Sequence, residues 1–337
     1  MIMTVGELGE SGVLARVLAR LGHAENALVG PGDDCAVLRS AGDTVVTSDT
    51  MIEGPDFRTA WHDGRDLGWK LAATNLSDVA AMGARPTALT VSLAVPRDTP
   101  VAFLEAIASG LDAACRALAP GCGVVGGDLG TAPVVMAAVT ALGDLEGREP
   151  VLRTGARPGE LLAYAGDLGL AGLGLSLLFE RAADEDGRAL AGAVDALHAE
   201  FGVPLAAQLA PESPVRLGVA ASIAGASAMM DVSDSLSIDA ARMAEASGVS
   251  IELDSSLLAE GFSEQRGVHV PVSAMLTGGE DHGLLAAFPA GAALPAGFRV
   301  IGRVAESGAS EATRLRLDGA PLEPSGWDPY TVRWPGS

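Results

Sequence analysis

The sequence predicts a two-domain protein of the α/β class, mixed enough to be called α+β, and three observations carry that reading. The chain has 337 residues, beyond the roughly 250 to 300 at which a single hydrophobic core stops growing. Apolar residues make up 48% of it, enough for two cores. Stretches with strand and helix periodicity alternate along the chain, separated by turns rich in glycine and aspartate.

From the N-terminus, Val13, Leu14, Val17, Leu18 and Leu21 recur at helical spacing before Gly22, which predicts an amphipathic opening helix. Cys35 to Leu38 and Thr44 to Thr47 read as short strands around a turn at Ala41-Gly42-Asp43, the second ending on Ser48 and Asp49. Asp66 to Met82 is helical, stopped by Gly83 and Arg85-Pro86. Thr87 to Val95 alternates like a strand, and Thr99-Pro100 opens a helix that runs to Leu118. The stretch Gly121-Cys122-Gly123-Val124-Val125-Gly126 matches G-x-G-x-x-G. Its internal β-branched residues, and the Gly127-Asp128-Leu129-Gly130 that follows, make it a strand and an acidic turn rather than a dinucleotide fingerprint. Pro133 to Leu142 is a further strand.

Between Gly143 and Pro158 the composition turns charged and glycine-rich, which places a domain boundary near 145–155 and divides the chain into 1–150 and 151–337. Arg153, just past it, is a candidate phosphate clamp. Leu161 to Ala165 is a buried-type strand, and Gly166-Asp167-Leu168-Gly169 leads into a helix whose first N–H groups could cradle a phosphate. Helical segments near 189–200 and 214–225 follow. Ala228-Met229-Met230 then enters Asp231-Val232-Ser233-Asp234-Ser235-Leu236, where Asp234 or Ser235 caps a helix running to Ala246. A strand at Val249 to Leu253, the stretch Thr277-Gly278-Gly279-Glu280-Asp281-His282 feeding a strand from Gly283 to Phe288, and strands near 298–304 and 313–317 complete the fold.

The net charge of -21, from 43 acidic and 22 basic residues, argues against nucleic acid or an anionic membrane as partner, because both select a positive face. Three cysteines, Cys35, Cys115 and Cys122, are odd in number and lack metal or redox spacing, as in a reducing compartment. No secretory leader or membrane-length apolar run is present, so the expected location is the cytoplasm.

Six acidic stations recur along the chain. They are Gly32-Asp33-Asp34, Thr47-Ser48-Asp49, Asn75 with Asp78, Gly127-Asp128, Asp231 with Asp234, and Gly279-Glu280-Asp281. One such stretch is an ordinary surface turn; six of them beside apolar runs suit hard oxygen ligation of Mg²⁺. The only lysine, Lys70, lacks a Walker A context, and neither zinc spacing nor G-x-S-x-G occurs. What remains is metal-assisted phosphoryl chemistry.

Taken together, Gly32 to Ala36, Thr47 to Thr50, Asn75 to Ala84, Gly126-Gly127-Asp128, Asp231 to Asp234 and Gly278 to Asp281 stand in the order seen in thiamine-monophosphate kinases. The chain resembles that family, part of the superfamily of aminoimidazole ribonucleotide synthetase. The resemblance implies ATP-dependent phosphorylation of thiamine monophosphate to thiamine diphosphate. It also implies a homodimer whose N-terminal domains pair into a closed β-barrel, with ATP in the groove between the two domains. Carried over by position, Asp34, Thr47, Ser48, Asp49, Asp78, Asp128, Asp231 and Asp234 are the implied Mg²⁺ ligands, and Asp49, Asp128 and Asp234 are central to catalysis. Arg153, Ser233 and Gly127 are implied nucleotide contacts; Asp56, Glu280 and Trp327 fall on the thiamine-phosphate side. Two departures stand out. Asp56 occupies the place of a family histidine, and Ser235 stands where the family has glycine. The competing readings are a sister enzyme that activates an amide or similar oxygen with ATP, and a nucleotide-binding protein without turnover.

Overall fold

The computed structural model describes residues 3–32, 34–307 and 314–326. Asp33, Trp327, Tyr330 and Trp334 lie outside the described residues. In chain order the first part holds α1 (Val5–Leu8), α2 (Glu10–Leu18), β1 (Ala27–Val29), β2 (Val37–Leu38), β3 (Thr44–Ile52), α3 (Gly64–Ala81), β4 (Arg85–Val95), α4 (Val101–Leu118), β5 (Gly123–Thr131) and β6 (Met136–Asp144). The second holds β7 (Leu161–Ala165), α5 (Leu170–Arg181), α6 (Ala193–Leu209), α7 (Arg216–Ile223), β8 (Ala228–Val232), α8 (Leu236–Ser247), β9 (Ser250–Leu253) and α9 (Ser255–Phe262). It closes with β10 (Glu264–Gln265), β11 (Val268–His269), α10 (Val272–Thr277), β12 (Gly283–Phe288), β13 (Arg299–Ala305), β14 (Leu315–Leu317) and β15 (Ala320–Pro321).

Two main sheets result. A four-stranded sheet in the order β3-β6-β4-β5 carries α3 and α4 on one face, and a seven-stranded sheet runs β15-β14-β9-β13-β7-β12-β8. The apolar runs of β7 and β12 are buried on both sides, as continuous rather than alternating hydrophobic strands should be. Ala163, Ala165, Leu284 and Ala286 join a core shared with α3 and the four-stranded sheet. Leu162, Tyr164, Leu285 and Ala287 join a second core under α8 and α9.

Helix α3 is the hinge of this packing. Asp63 caps it by accepting from the Asp66 N–H at 2.8 Å, and Gly83 ends it at φ 73°. Fourteen of its eighteen residues are buried, so it is a central helix rather than a surface one. Gly68 permits the contact with α4: a Cβ there would stand 2.0 Å from the Ile107 carbonyl oxygen.

Three sequence expectations change. Strand β3 does not end at Ser48 and Asp49 but continues to Ile52, paired with β6 from Thr44↔Asp144 to Ile52↔Met136. Asp49 therefore sits inside a ladder, because Thr50-Met51-Ile52 keeps the alternation and the paired backbone costs nothing in unmet hydrogen bonds. The strand at Val37 pairs with β1 instead of β3. The Gly127 to Gly130 stretch is no turn: it stays in β5, parallel to β4, and Gly127 packs so closely that a Cβ would stand 2.1 Å from the Val91 carbonyl oxygen. Among the described residues the four-stranded sheet is open, with β3 and β5 at its edges, and forms no closed barrel within one chain.

Candidate active site

Period-2 geometry in β3 turns Thr47, Asp49 and Met51 to one face and Ser48 and Thr50 to the other. Ser48 accordingly bonds sideways, its hydroxyl within 3.1 Å of both the Val139 carbonyl and the Thr140 hydroxyl, away from the Asp49 face. On the Asp49 face Thr47 Oγ1 donates to Asp78 Oδ2 of α3 at 3.0 Å. Lys70, Thr74, Ser77 and Asp78 recur at i, i+4, i+7 and i+8, one face of α3. That face meets the seven-stranded sheet. Ser77 Oγ donates to Asp231 Oδ2 at 3.1 Å, His282 Nδ1 lies 3.4 Å from the same oxygen, and His282 Nε2 lies 3.2 Å from Thr74 Oγ1.

Carboxylates crowd here, and their titration shows it. Burial, with Asp231 and Asp49 nearby, pushes Asp78 up to about 7. Burial also raises Asp49 above its ordinary value; Asp231 and Asp234 add to the shift and His282 opposes it. For His282, burial works against the charged form, but the hydrogen bond to Asp231 and its charge prevail and raise the pKa.

Asp234 follows β8 and pairs with Arg242 Nη1 at 2.5 Å, while the same guanidinium nitrogen reaches Asp239 Oδ1 at 2.8 Å. Asp239, pushed to about 6 by burial, accepts the backbone N–H groups of Ser233, Asp234 and Ser235 at 3.1 to 3.4 Å and so sets the loop. Ser235 is the helix cap, accepting from Ile238 N at 3.1 Å. The Ser233 carbonyl accepts the Glu280 N–H at 2.7 Å, tying this loop to the next.

Glu280 holds a left-handed backbone at φ 67°. Its Oε1 pairs with Lys70 Nζ at 2.8 Å and its Oε2 accepts from Gln208 Nε2 at 2.5 Å. Burial alone would raise its pKa; the Lys70 charge and these bonds hold it below its ordinary value. Asp56 lies close by, its Oδ2 accepting from Ile52 N at 2.7 Å, and burial raises its carboxyl with Glu280 and Asp49 contributing.

Asp281 has a different duty. It accepts from Gly169 N at 2.5 Å and Ala171 N at 2.8 Å at the start of α5, and burial pushes it up to about 7. The helix N–H groups that the sequence offered to a phosphate are therefore engaged by this side chain.

The structure thus brings Thr47, Asp49, Asp56, Asp78, Asp231, Asp234, Ser233 and Glu280 to one junction between the sheets. It sets Asp34, Gly127 and Asp128 elsewhere, on the rim of an apolar cavity lined by α2, α4 and β5 residues such as Leu14, Leu111 and Val124. The register row Asp49↔Val139↔Val91↔Gly127 crosses the whole sheet, so Gly127 is three strand spacings from Asp49, roughly 14 Å, and Asp128, one residue further and opposite Ser92, lies on the other face of the sheet. Arg153 is exposed, and its carbonyl oxygen accepts from Ser247 Oγ at 2.8 Å. Lys70, Gln208, His282 and Asp239 were not anticipated as site residues. The α3 spacing was the available signal for Lys70; nothing local announces Gln208 or Asp239.

Among the described residues, no three His, Cys, Asp or Glu side chains form a ready cage for a metal ion. The donor set still fits Mg²⁺, which prefers oxygen and is held by one or two carboxylates plus waters and phosphates. Like-charged, part-buried carboxylates that raise one another's pKa are what a divalent cation relieves.

Residues 32–145 match the N-terminal domain of AIR synthase related proteins and residues 157–313 match their C-terminal domain. The thiamine-monophosphate kinase of Mycobacterium tuberculosis is 38% identical, with 94% of this chain and 90% of that protein covered. The enzyme of the same name from Corynebacterium glutamicum is 37% identical over 90% and 88%. The solved structure of AaThiL complexed with AMPPCP and TMP aligns with a TM-score of 0.70 at 29% identity, covering 96% of this chain and 98% of that one. The hydrogenase maturation protein HypE, at 16% identity and a TM-score of 0.64 over 94% and 98%, shares the fold. With relatives this similar along nearly their whole length, and both halves matched in order, the chain belongs to the thiamine-monophosphate kinase family.

Proposed function

We propose that this chain transfers the γ-phosphoryl group of ATP to the phosphate of thiamine monophosphate, giving thiamine diphosphate and ADP by direct in-line attack. The observation that carries the reading is the meeting of Asp49 and Asp78 from the four-stranded sheet and α3 with Asp231 and Asp234 from the second sheet. The relatives' names, and the ATP analogue with TMP in AaThiL, supply the substrates. Asp49, Asp78, Asp231 and Asp234 would hold Mg²⁺, with Asp34 and Asp128 serving the nucleotide from the cavity rim. A bound Mg²⁺ neutralises polyphosphate charge and steadies the charge that develops in transfer. Thr47 and Ser77 orient Asp78 and Asp231 by hydrogen bonds. The acceptor oxygen is already ionised at neutral pH, so no side chain need act as a strong base. The apolar cavity beside Gly127 suits a nucleobase, its rim the phosphates.

Two copies complete the arrangement. Among the described residues both edges of the four-stranded sheet lack a partner strand, and its outer face exposes Val46 at 64%, Ile52 at 37% and Met136 at 36%. Pairing β3 of one copy with β5 of another closes eight strands and removes both edges. It also sets Asp128 of one copy on the strand beside Asp49 of the other.

Purified protein given ATP, Mg²⁺ and thiamine monophosphate should make thiamine diphosphate. Asp49→Asn should lower kcat by roughly 100-fold or more with the circular dichroism spectrum unchanged. ADP released without phosphorylated thiamine, or only with an amide acceptor, would refute the assignment.

A further inference from the structure

Three carboxylates crowd the turn from β8 into α8: Asp231, Asp234 and, in the first turn of the helix, Asp239. Asp239 is 1% exposed and fully committed. Its Oδ2 accepts the N–H groups of Ser233, Asp234 and Ser235, and its Oδ1 accepts from Arg242 Nη1, one helical turn on, at 2.8 Å. The same nitrogen donates to Asp234 Oδ2 at 2.5 Å. Among the described residues, Asp234 Oδ1 makes no hydrogen bond. Arg242 therefore stands between a carboxylate that is locked into the protein and one that still has an oxygen to offer.

The two anchors differ in what it costs to leave them. Parting Arg242 from Asp239 would strand a buried charge, which is expensive. Parting it from Asp234, whose side chain is 23% exposed, costs little, because an ion pair open to water contributes weakly. Nor can the Asp234 backbone follow such a change: Asp239 holds its N–H, and the neighbouring Ser233 carbonyl accepts from the Glu280 N–H at 2.7 Å. The guanidinium is thus fixed, and the Asp234 side chain alone can turn, between Arg242 and the junction where its charge reaches Asp49. Mg²⁺ taken up by Asp234 would lie close to Arg242, and a single and a double positive charge repel at short range.

We infer that Arg242 is a positioning residue that competes with Mg²⁺ for the Asp234 carboxylate and thereby holds down the affinity of the junction for divalent cations. The inference rests on the metal role proposed above for Asp234 and adds the side chain that sets its strength. A metal ion then binds firmly only with the phosphates of a nucleotide, which supply the further oxygens it needs. Removing the guanidinium frees Asp234 Oδ2 and ends the repulsion, and both favour the metal. The opposing effect, looser orientation of Asp234, is small for a pair whose arginine side chain is 47% exposed.

The test is binding of Mn²⁺, which takes the same oxygen ligands as Mg²⁺, to the full chain without nucleotide, read from the loss of the free ion's electron paramagnetic resonance signal. Salt at about 0.15 M screens the protein's general negative charge. Arg242→Gln should tighten Mn²⁺ binding about three- to tenfold, and Mg²⁺ should raise its Tm by more than it raises that of the wild type. A merely structural defect would weaken binding or leave it alone. Asp234→Asn should weaken binding, and most of the gain from Arg242→Gln should vanish in the double variant, because Arg242 acts through Asp234. Arg242→Lys, which keeps the charge without the guanidinium, should fall between the wild type and the glutamine variant, and decides the matter if the latter fails to fold. Arg242→Gln binding Mn²⁺ no tighter than the wild type, or a gain undiminished in the double variant, overturns the inference while leaving the metal role of Asp234 intact. Asp234→Asn binding Mn²⁺ as well as the wild type overturns that role and the inference together.

Discussion

At the scale of single residues, one fully buried cation ties the junction together. Lys70 is the chain's only lysine and is fully buried, with Glu280 at 2.8 Å and the Gln208 carbonyl oxygen at 3.1 Å. It anchors α3 to the second sheet and fixes the carboxylate that Gln208 also holds. Breaking a buried pair costs more than the pair contributes, because the remaining charge is stranded. Lys70→Ala should therefore destabilise the protein by about 3 kcal/mol, the low end of the range for such losses since Glu280 keeps some solvent contact. Urea denaturation measures it, and an unchanged midpoint would show that the ion pair does not hold the sheets together. The sequence displayed Lys70 in plain view, but only as a residue in the wrong context for a phosphate loop. Its partner lies 210 positions away, and local periodicity cannot see such a contact.

At the scale of elements, the chemistry-bearing strands are legible and their ends are not. β7 coincides with the run Leu161 to Ala165 because a strand buried on both faces is apolar throughout. β3 and β5 run past the aspartates that were read as turns, because aspartate and glycine in a ladder look like turn residues until the neighbouring strand is known. β5 depends on this most. Gly127 faces the β4 backbone with no room for a methyl group, its Cβ falling 2.1 Å from the Val91 carbonyl oxygen. Gly127→Ala should separate β5 from β4, cost about 1 to 3 kcal/mol and weaken ATP binding by displacing the neighbouring Asp128. Thermal melting with and without ATP checks both effects; a stability equal to wild type would mean the strand yields easily.

At the scale of the molecule, the acidic stations divide into two groups about 14 Å apart across one sheet, and the proposed pairing of two copies would reunite them. Mixed dimers offer a sharp measurement. Asp49→Asn and Asp128→Asn proteins, each inactive alone, should recover up to about a quarter of wild-type activity when co-refolded, because half the dimers are mixed and each mixed dimer has one intact site. No recovery would mean that the two aspartates act within one chain.

The sequence by itself determined most of the larger elements, the two-part α/β plan, the acidic stations and the family, because those are written in local periodicity, turn chemistry and motif order; the short helices Ser255–Phe262 and Val272–Thr277 were not legible in it. Tertiary structure alone decided how the stations are shared out. Asp281 became a helix cap, Ser48 turned to the far face, and His282 and Lys70 joined the site. Those assignments follow from which face of a strand or helix meets which neighbour, and that is set by pairing register and packing between segments far apart in the chain.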